Sequence, residues 1–327
     1  MPLRNSLKKD LNMSGQVSLN PLVSVIIPNY NHAPFLKERI DSVLNQSFDN
    51  FEVIILDDKS TDHSKEVIES YRNHEKVVHI EYNSQNSGST FKQWDKGLKL
   101  AKGEWIWIAE SDDVAHPAFL TSTMSSADSN TSLIFTRSKI IDATGATGSF
   151  LGCDYFPHPS LLNELDIHQG KINPIAFITK EMYNFNHIVN ASSVLFNKKC
   201  APNIEKIMSR FKLCGDWYFW IKVIEKGQIK YIDKEFNYFR THELTVRKSS
   251  ENQIFAYFEN AEITKYIYNL ARSKELKGKY SDYLIYIYFN RYDNQTRKGT
   301  FIKFLHTLSP FGFRSILIAL KKRISNA

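Results

Sequence analysis

Apolar positions along the first third of the chain switch repeatedly between two spacings. Leu22-Val-Ser-Val-Ile-Ile27 is a short continuous run of buried-strand composition, broken by Pro28-Asn-Tyr30-Asn31. After Pro34 the apolar residues fall at Leu36, Ile40, Val43 and Leu44, the spacing of a helix with one buried stripe. Phe51-Glu-Val-Ile-Ile-Leu56 predicts a second strand ending on Asp57-Asp58, and Ser60-Thr61-Asp62 then offers capping side chains to a helix bearing Val67, Ile68 and Tyr71. Val77-Val-His-Ile80 reads as a third strand. Phe91, Trp94, Leu98 and Ala101 mark a further helical stripe that stops at Gly103, and Trp105-Ile-Trp-Ile108 is a fourth strand running into Glu110-Ser-Asp112-Asp113.

Strand and helix thus alternate, which predicts an α/β fold: a mainly parallel sheet with helices on both faces and ligands outside the carboxyl ends of the strands. Three strand ends would meet in one crevice, carrying Tyr30, Asp57-Asp58 and Asp112-Asp113. Adjacent acids in a single loop are ordinary turn or cap residues. Three polar strand ends together point to a phosphate-ester or nucleotide site, where a carboxylate pair suits Mg²⁺ or Mn²⁺ completed by substrate phosphates.

The set Val23-Ser-Val-Ile-Ile-Pro-Asn-Tyr-Asn31, Ile40-Asp-Ser-Val-Leu-Asn-Gln-Ser47, Glu52-Val-Ile-Ile-Leu-Asp-Asp-Lys-Ser-Thr-Asp62, Gly97 to Gly103 and Glu110-Ser-Asp-Asp113 resembles a family 2 glycosyltransferase of the GT-A fold, of the bacterial surface-polysaccharide type. The likeness is strong over about residues 22 to 120 and looser to about 245. It implies a nucleotide-diphosphate sugar donor, a UDP-sugar by preference, bound along Pro28 and Tyr30, with Tyr30 near the base and Asp58 accepting from the base edge. It also implies Asp112 near the ribose and donor sugar, and Asp113 holding the cation that bridges the diphosphate. An acceptor hydroxyl would be deprotonated by a carboxylate from the second half, where Cys214-Gly-Asp216-Trp-Tyr-Phe-Trp220 makes Asp216 the candidate base; an acid opening a helix is equally an ordinary N-cap. Phe239-Arg240-Thr-His242 resembles a late basic motif whose histidine approaches the diphosphate or cation. Departures from the family pattern are Glu110 for aspartate, Gly215 where an acid often precedes the base, and Trp94-Asp95 for an Arg-Asn pair. The last leaves Lys92 as the candidate diphosphate-side cation, or a solvated helix residue.

With 327 residues and 42% hydrophobic content the chain can bury a sizeable core. The pattern predicts a loose arm over 1–21, a catalytic domain over 22–245 (donor half 22–115, acceptor half 116–245), and a helical region over 246–327. Asn190 to Phe196 and Ile229 to Ile232 read as strands of the acceptor half, whereas 143–187 lacks a locatable pattern. Three cysteines form neither a paired set nor a CxxC pattern, which favours a reducing compartment. The net charge of +7 is carried by residues 295–327, with seven basic residues and no acid. There Phe313, Ile316, Leu317, Leu320 and Ile324 would share one helical face, the composition of an interfacial membrane helix, a domain-packing helix or a partner-binding helix. A cytoplasmic enzyme, peripheral on the inner face of the membrane and acting on a saccharide or lipid-linked saccharide, is the expected setting. Basicity confined to one end, without a nucleic-acid-binding motif, argues against a nucleic-acid partner. A sugar-1-phosphate nucleotidyltransferase would open with a glycine-rich loop in place of Pro28-Asn-Tyr-Asn31, and a donor-binding module without turnover is the non-enzyme alternative.

Overall fold

The computed structural model describes residues 21–149, 155–156, 172–242, 250–271, 274–290 and 299–325. The N-terminal arm and Cys153 lie outside them. Four parallel strands form one side of a single sheet in the order β3 (Val77–Tyr82), β2 (Phe51–Asp57), β1 (Val23–Asn29), β4 (Trp105–Ile108). Their side chains are buried on both faces in β1, β2 and β4, as expected of a parallel sheet covered by helices. Helices α1 (Ala33–Leu44), α2 (Ser64–Glu69) and α3 (Thr90–Leu100) make the crossovers. Helix α3 lies close on β1 because Gly97 has no Cβ: one built there would sit 2.5 Å from Ile26 Cγ2. At Gly103 the approach is to backbone, with a Cβ falling 2.5 Å from the Ser24 nitrogen.

Beyond β4 the sheet changes character. The order continues β8 (Val194–Asn197), β6 (Thr131–Ile141), β9 (Gln228–Arg240), β5 (Val114–Ala115), and β7 (Tyr155–Phe156) pairs with β6 off this path. Strand β8 is antiparallel to β4 and β6, β5 is antiparallel to β9, and β6 and β9 are parallel. The expected strand over Asn190–Phe196 begins with a 3₁₀ turn at Ala191–Ser193, capped by the Asn190 side chain, so only its second half pairs. The strand expected at Ile229–Ile232 is part of a 13-residue ribbon.

Helices α4 (Phe119–Ser126), α5 (Pro174–Ala176, running into a π-helical turn Phe177–Glu181), α6 (Ile204–Met208) and α7 (Gly215–Ile224) complete this half. The appendage is helical, as the spacing of Phe255, Phe258, Ile263, Ile267 and Leu270 predicts: α8 (Ser250–Ala271), α9 (Lys274–Asn290), α10 (Phe301–Leu308) and α11 (Phe313–Ser325). Its aromatics mostly pack, Tyr288 stacking on Phe304 at 3.8 Å, while Phe255 is exposed. Ile263, Ile267 and Phe304 belong to the same apolar cluster as Ile106, Phe196 and Trp220, so the appendage is continuous with one core of the α/β domain.

Candidate active site

The carboxyl ends of β1 and β2 are level, and β4 ends three residues short of them. Asn29 pairs with Asp57 across β1 and β2, and Ile26 with Ile108 across β1 and β4. The turns after β1 and β2 each contain a non-glycine residue in the left-handed region, Asn31 (φ 54°) and Lys59 (φ 67°). Asn31 is held there: its Oδ1 accepts from the Thr61 amide at 2.7 Å, and its own amide donates to Ser60 Oγ at 2.9 Å. Asp57 accepts from the Asn29 amide group and from both the backbone and hydroxyl of Ser60. Asp62 accepts from the Ala33 and Ser64 amides, tying the start of α1 to the start of α2. Tyr30 projects from this scaffold, 46% exposed, whereas Pro28 is buried within β1.

Asp58 is buried, and its carboxylate accepts from Asn83 Nδ2, the Ser87 amide at 2.9 Å and Ser87 Oγ at 2.7 Å. Lys92 lies beside the same loop, donating from Nζ to the Ser87 carbonyl at 2.9 Å. Both residues therefore stand on the β2–β3 side of the crevice.

The Glu110–Asp113 turn lies at the junction of the two halves of the sheet. Asp113 is 1% exposed; Oδ1 accepts the Arg240 amide at 2.9 Å, Oδ2 accepts Asn190 Nδ2 at 2.8 Å, and the Arg39 guanidinium lies 3.7 Å away. Burial, and then the neighbouring Asp112 charge, push its carboxyl up to about 6. Arg39 is fully buried, with Nε donating to the Glu110 carbonyl and neither terminal nitrogen hydrogen-bonded. Glu110 is pushed up to about 8, by burial first and the Asp112 charge second, although Trp94 Nε1 donates to it at 3.0 Å.

Asp112 faces the opposite way. Its Oδ2 lies 3.0 Å from His242 Nε2, and ligand atoms of His32, Asp112 and His242 all fall within 4.8 Å of one another. Burial raises the Asp112 carboxyl, but the His242 hydrogen bond and the charges of both histidines outweigh it and hold it below the usual range. His242 is raised, first by that hydrogen bond, while burial lowers His32. His32 also lies 2.8 Å from Ser111 Oγ, and Phe35 packs beside His242 at 5.3 Å between ring centres. One carboxylate with two imidazoles suits a borderline cation such as Mn²⁺ better than Mg²⁺, which prefers all-oxygen shells.

Asp216 occupies the second position of α7, after Gly215. The N-cap is Cys214, so Asp216 does not cap the helix. Asn186 Nδ2 donates to Asp216 Oδ2 at 3.1 Å. Trp217, Phe219 and Trp220 are buried beside it, and Phe219 and Trp220 pack on Trp94, the residue that also bonds Glu110. The segment from Asn186, which touches Asp216, to Asn190, which touches Asp113, is five residues long and spans at most roughly 15 Å between its end Cα atoms. Asp216 and Asp113 are thus tied to the two ends of one short segment. An open cavity of about 850 Å³ lined by Glu104, Thr131, Asn197 and Gln228 lies at the other end of the sheet.

Sequence reasoning missed His32, Arg39, Asn186 and Asn190. His32 follows the recognised Asn31, and Arg39 interrupts the apolar stripe of α1; that interruption was the available signal for a buried charge. The asparagines fall in or just beyond a segment without periodicity.

Parallel strands whose carboxyl ends carry polar and acidic residues, continued by a mixed extension that supplies Asn190, Arg240 and His242, form a GT-A architecture. The fold is shared with the crystal structure of S. aureus TarS 1-349 in complex with UDP-GlcNAc, at a TM-score of 0.61 and 20% identity over 88% of this chain and 80% of that one. Residues 24–166 match the model described as Glycosyl transferase family 2. The putative teichuronic acid biosynthesis glycosyltransferase TuaG of Bacillus subtilis is 38% identical over 28% of this chain and 36% of its own length. The glycosyltransferase GlyG of Streptococcus pneumoniae is 34% identical over 29% of this chain and 32% of its own. These two matches span about a third of each relative. The poly(ribitol-phosphate) beta-N-acetylglucosaminyltransferase TarP of Staphylococcus aureus matches more extensively, 29% identical over 80% of this chain and 79% of its own length.

Proposed function

We propose that the protein is an inverting glycosyltransferase that moves a sugar from a nucleotide-diphosphate donor, a UDP-sugar by preference, to a hydroxyl of a saccharide or lipid-linked saccharide in surface-polysaccharide synthesis. The observation that carries this reading is the His32–Asp112–His242 cluster at the strand ends, with Asp216 tied to Asp113 through the Asn186–Asn190 segment. The donor base lies against Tyr30, near Asp58 and Lys92. The cation contact, expected from sequence at Asp113, is proposed to rest on Asp112 with His242, because these two and His32 bring ligand atoms within 4.8 Å of one another whereas Asp113 is 1% exposed. A divalent cation bound there would stabilise charge on the departing diphosphate. Asp113 holds the turn in shape through Arg240 and Asn190.

Asp216 takes the proton of the attacking acceptor hydroxyl in a single displacement. Asn186 holds its carboxylate in place for that role. Asp216→Asn should lower kcat by about 10³-fold or more while leaving metal-dependent thermal stabilisation by the donor intact. Wild-type turnover in that variant would remove Asp216 from the mechanism, and a panel of nucleotide sugars screened by the same thermal shift identifies the donor. Donor stabilisation without transfer or donor hydrolysis would instead support a binding module.

The acceptor-side partner is proposed to be an anionic membrane surface. Among the described residues no helix is long and apolar enough to cross a membrane. Helix α11 packs inward through Ser315 and Ala319, so Phe313 (72% exposed), Leu317 and Leu320 face outward with Arg314 and Lys321. Small residues inside and bulky apolar ones outside reverse the usual arrangement of a packed helix. A second copy on this face would bring basic residues together with no acid from 295–327 between them, whereas an anionic surface meets both the charge and the apolar stripe. Flotation with phosphatidylglycerol vesicles should recover the wild-type chain and lose Phe313→Ser/Leu317→Ser. Equal recovery, or dimers of wild type alone in sedimentation, would count against the membrane.

A further inference from the structure

We infer that Glu259, on α8 of the helical appendage, is a positioning residue for Asp216; the inference rests on reading Asp216 as the base. The Glu259 carboxylate is buried and accepts three successive backbone amides: Lys212 at 2.6 Å, Leu213 at 2.9 Å and Cys214 at 2.8 Å. Those amides end two residues before Asp216. Three consecutive N–H groups converging on one anion fix the backbone that enters α7, and with it the origin of the Asp216 side chain.

The opposite support of Asp216 is gripped by the same appendage. Asn186, which bonds the Asp216 carboxylate, follows Tyr183 and Asn184. The Tyr183 carbonyl accepts from Thr264 Oγ1 of α8 at 2.9 Å, and the Asn184 carbonyl accepts from the Tyr283 hydroxyl of α9 at 2.7 Å. Tyr183 also stacks on Tyr280 of α9, 4.7 Å between ring centres. Helices outside the α/β sheet therefore hold both the backbone that leads into Asp216 and the segment carrying the side chain that orients it. The Tyr30–Asp58–Asp112 side of the crevice is built from strand ends and receives no such bond from α8 or α9 among the described contacts.

Coupling through position predicts a split in kinetics. A displacement of about an ångström at a reacting group costs up to about 100-fold in rate without altering donor contacts. In the full chain, Glu259→Gln, which sets an amide N–H₂ against backbone N–H donors, should lower kcat by about 10- to 100-fold with the donor KM within about twofold of wild type. Glu262→Gln, on the same helix and paired with Arg210, controls for general loosening of α8 and should keep wild-type kcat. Asp216→Asn, measured in parallel, separates the two ideas. If it is inactive while Glu259→Gln turns over normally, the positioning role is overturned and the base stands; if it is fully active, the base reading falls first. A drop in kcat matched by an equal rise in donor KM, or shared by Glu262→Gln, also overturns the inference. Should Glu259→Gln fail to fold, Tyr283→Phe decides, since it removes the hydroxyl that donates to the Asn184 carbonyl. A several-fold fall in kcat at constant donor KM supports the inference, and unchanged kcat overturns it.

Discussion

The two sides of the crevice are built by different means. On the donor side Asn31, Asp57, Asp58 and Asp62 hang from a strand end or the turn directly after it, and their partners come from neighbouring turns, as Asp57 with Ser60 and Asn31 with Thr61 show. On the Asp216 side the partners come from outside the sheet: Asn186 lies in the irregular segment before Ala191, and Glu259, which accepts the Lys212 amide, lies on α8 of the appendage. Parallel strand ends position side chains as a by-product of sheet register. A helix N-terminus outside the sheet needs separate supports, and here they come from an unpatterned segment and from the appendage.

The comparison is broken most severely at the turn where the two sides meet. Asp112→Asn should abolish metal-dependent stabilisation by the donor and lower turnover about 10³-fold, because it removes the carboxylate of the His32–Asp112–His242 cluster. Asp113→Asn should act differently. It presents an amide N–H₂ to the Arg240 amide or to Asn190, so loss of folding stability comes first, by about 3 to 5 kcal/mol once Arg39 loses its charge partner. Thermal melts with and without Mn²⁺ and donor distinguish the two. If Asp113→Asn melts normally and is the variant that loses metal response, the cation belongs on Asp113.

A smaller effect tests the Asn186–Asn190 segment through pH. His187 is buried between Phe177 and Phe185, and its Nε2 lies 3.1 Å from the Glu181 carbonyl. Burial holds its pKa down to about 4, against about 6.5 in an unfolded chain. The folded state therefore binds this proton less readily. The resulting stability is fully present above about pH 6.5 and is lost as pH falls toward 4, by roughly 3 kcal/mol in total. His187→Gln can still donate to the Glu181 carbonyl but cannot become charged, so denaturant midpoints of the variant should vary less over that range. Parallel pH profiles for wild type and variant would assign the acid loss to other groups.

How much of this was legible follows the same division. The β1-to-β4 alternation, the polar residues at three strand ends and the helical appendage could all be read from residue spacing, because each depends on local periodicity. The antiparallel β8 and β5 could not, since strand direction is set by where a chain returns to the sheet. Asn190 gave no hint that it would meet Asp113, 77 residues earlier. The C-terminal stripe was recognised as amphipathic, but its orientation was not. Ser315 and Ala319 form the buried contact, a choice made by the surface of α9 and α10 that receives them.

The mildest test lies on the donor side, at Asp58. The family resemblance gives it the base edge of the nucleotide, yet Asn83 and Ser87 already donate to its carboxylate. A carboxylate has about four acceptor positions, so three protein donors leave room for one more. Ser87→Ala keeps the backbone donor and removes only the hydroxyl, which also receives a long contact from Gln93 at 3.3 Å. Stability should fall by about 1 to 2 kcal/mol, the scale of one hydrogen bond to a charged group. Donor affinity should stay within about threefold, because the remaining partners hold the carboxylate in place. Calorimetric titration of a UDP-sugar into both proteins measures it. An affinity loss of tenfold or more would mean that the β2–β3 side depends on a single side chain as sharply as the Asp216 side does, and the contrast between the two sides would fail.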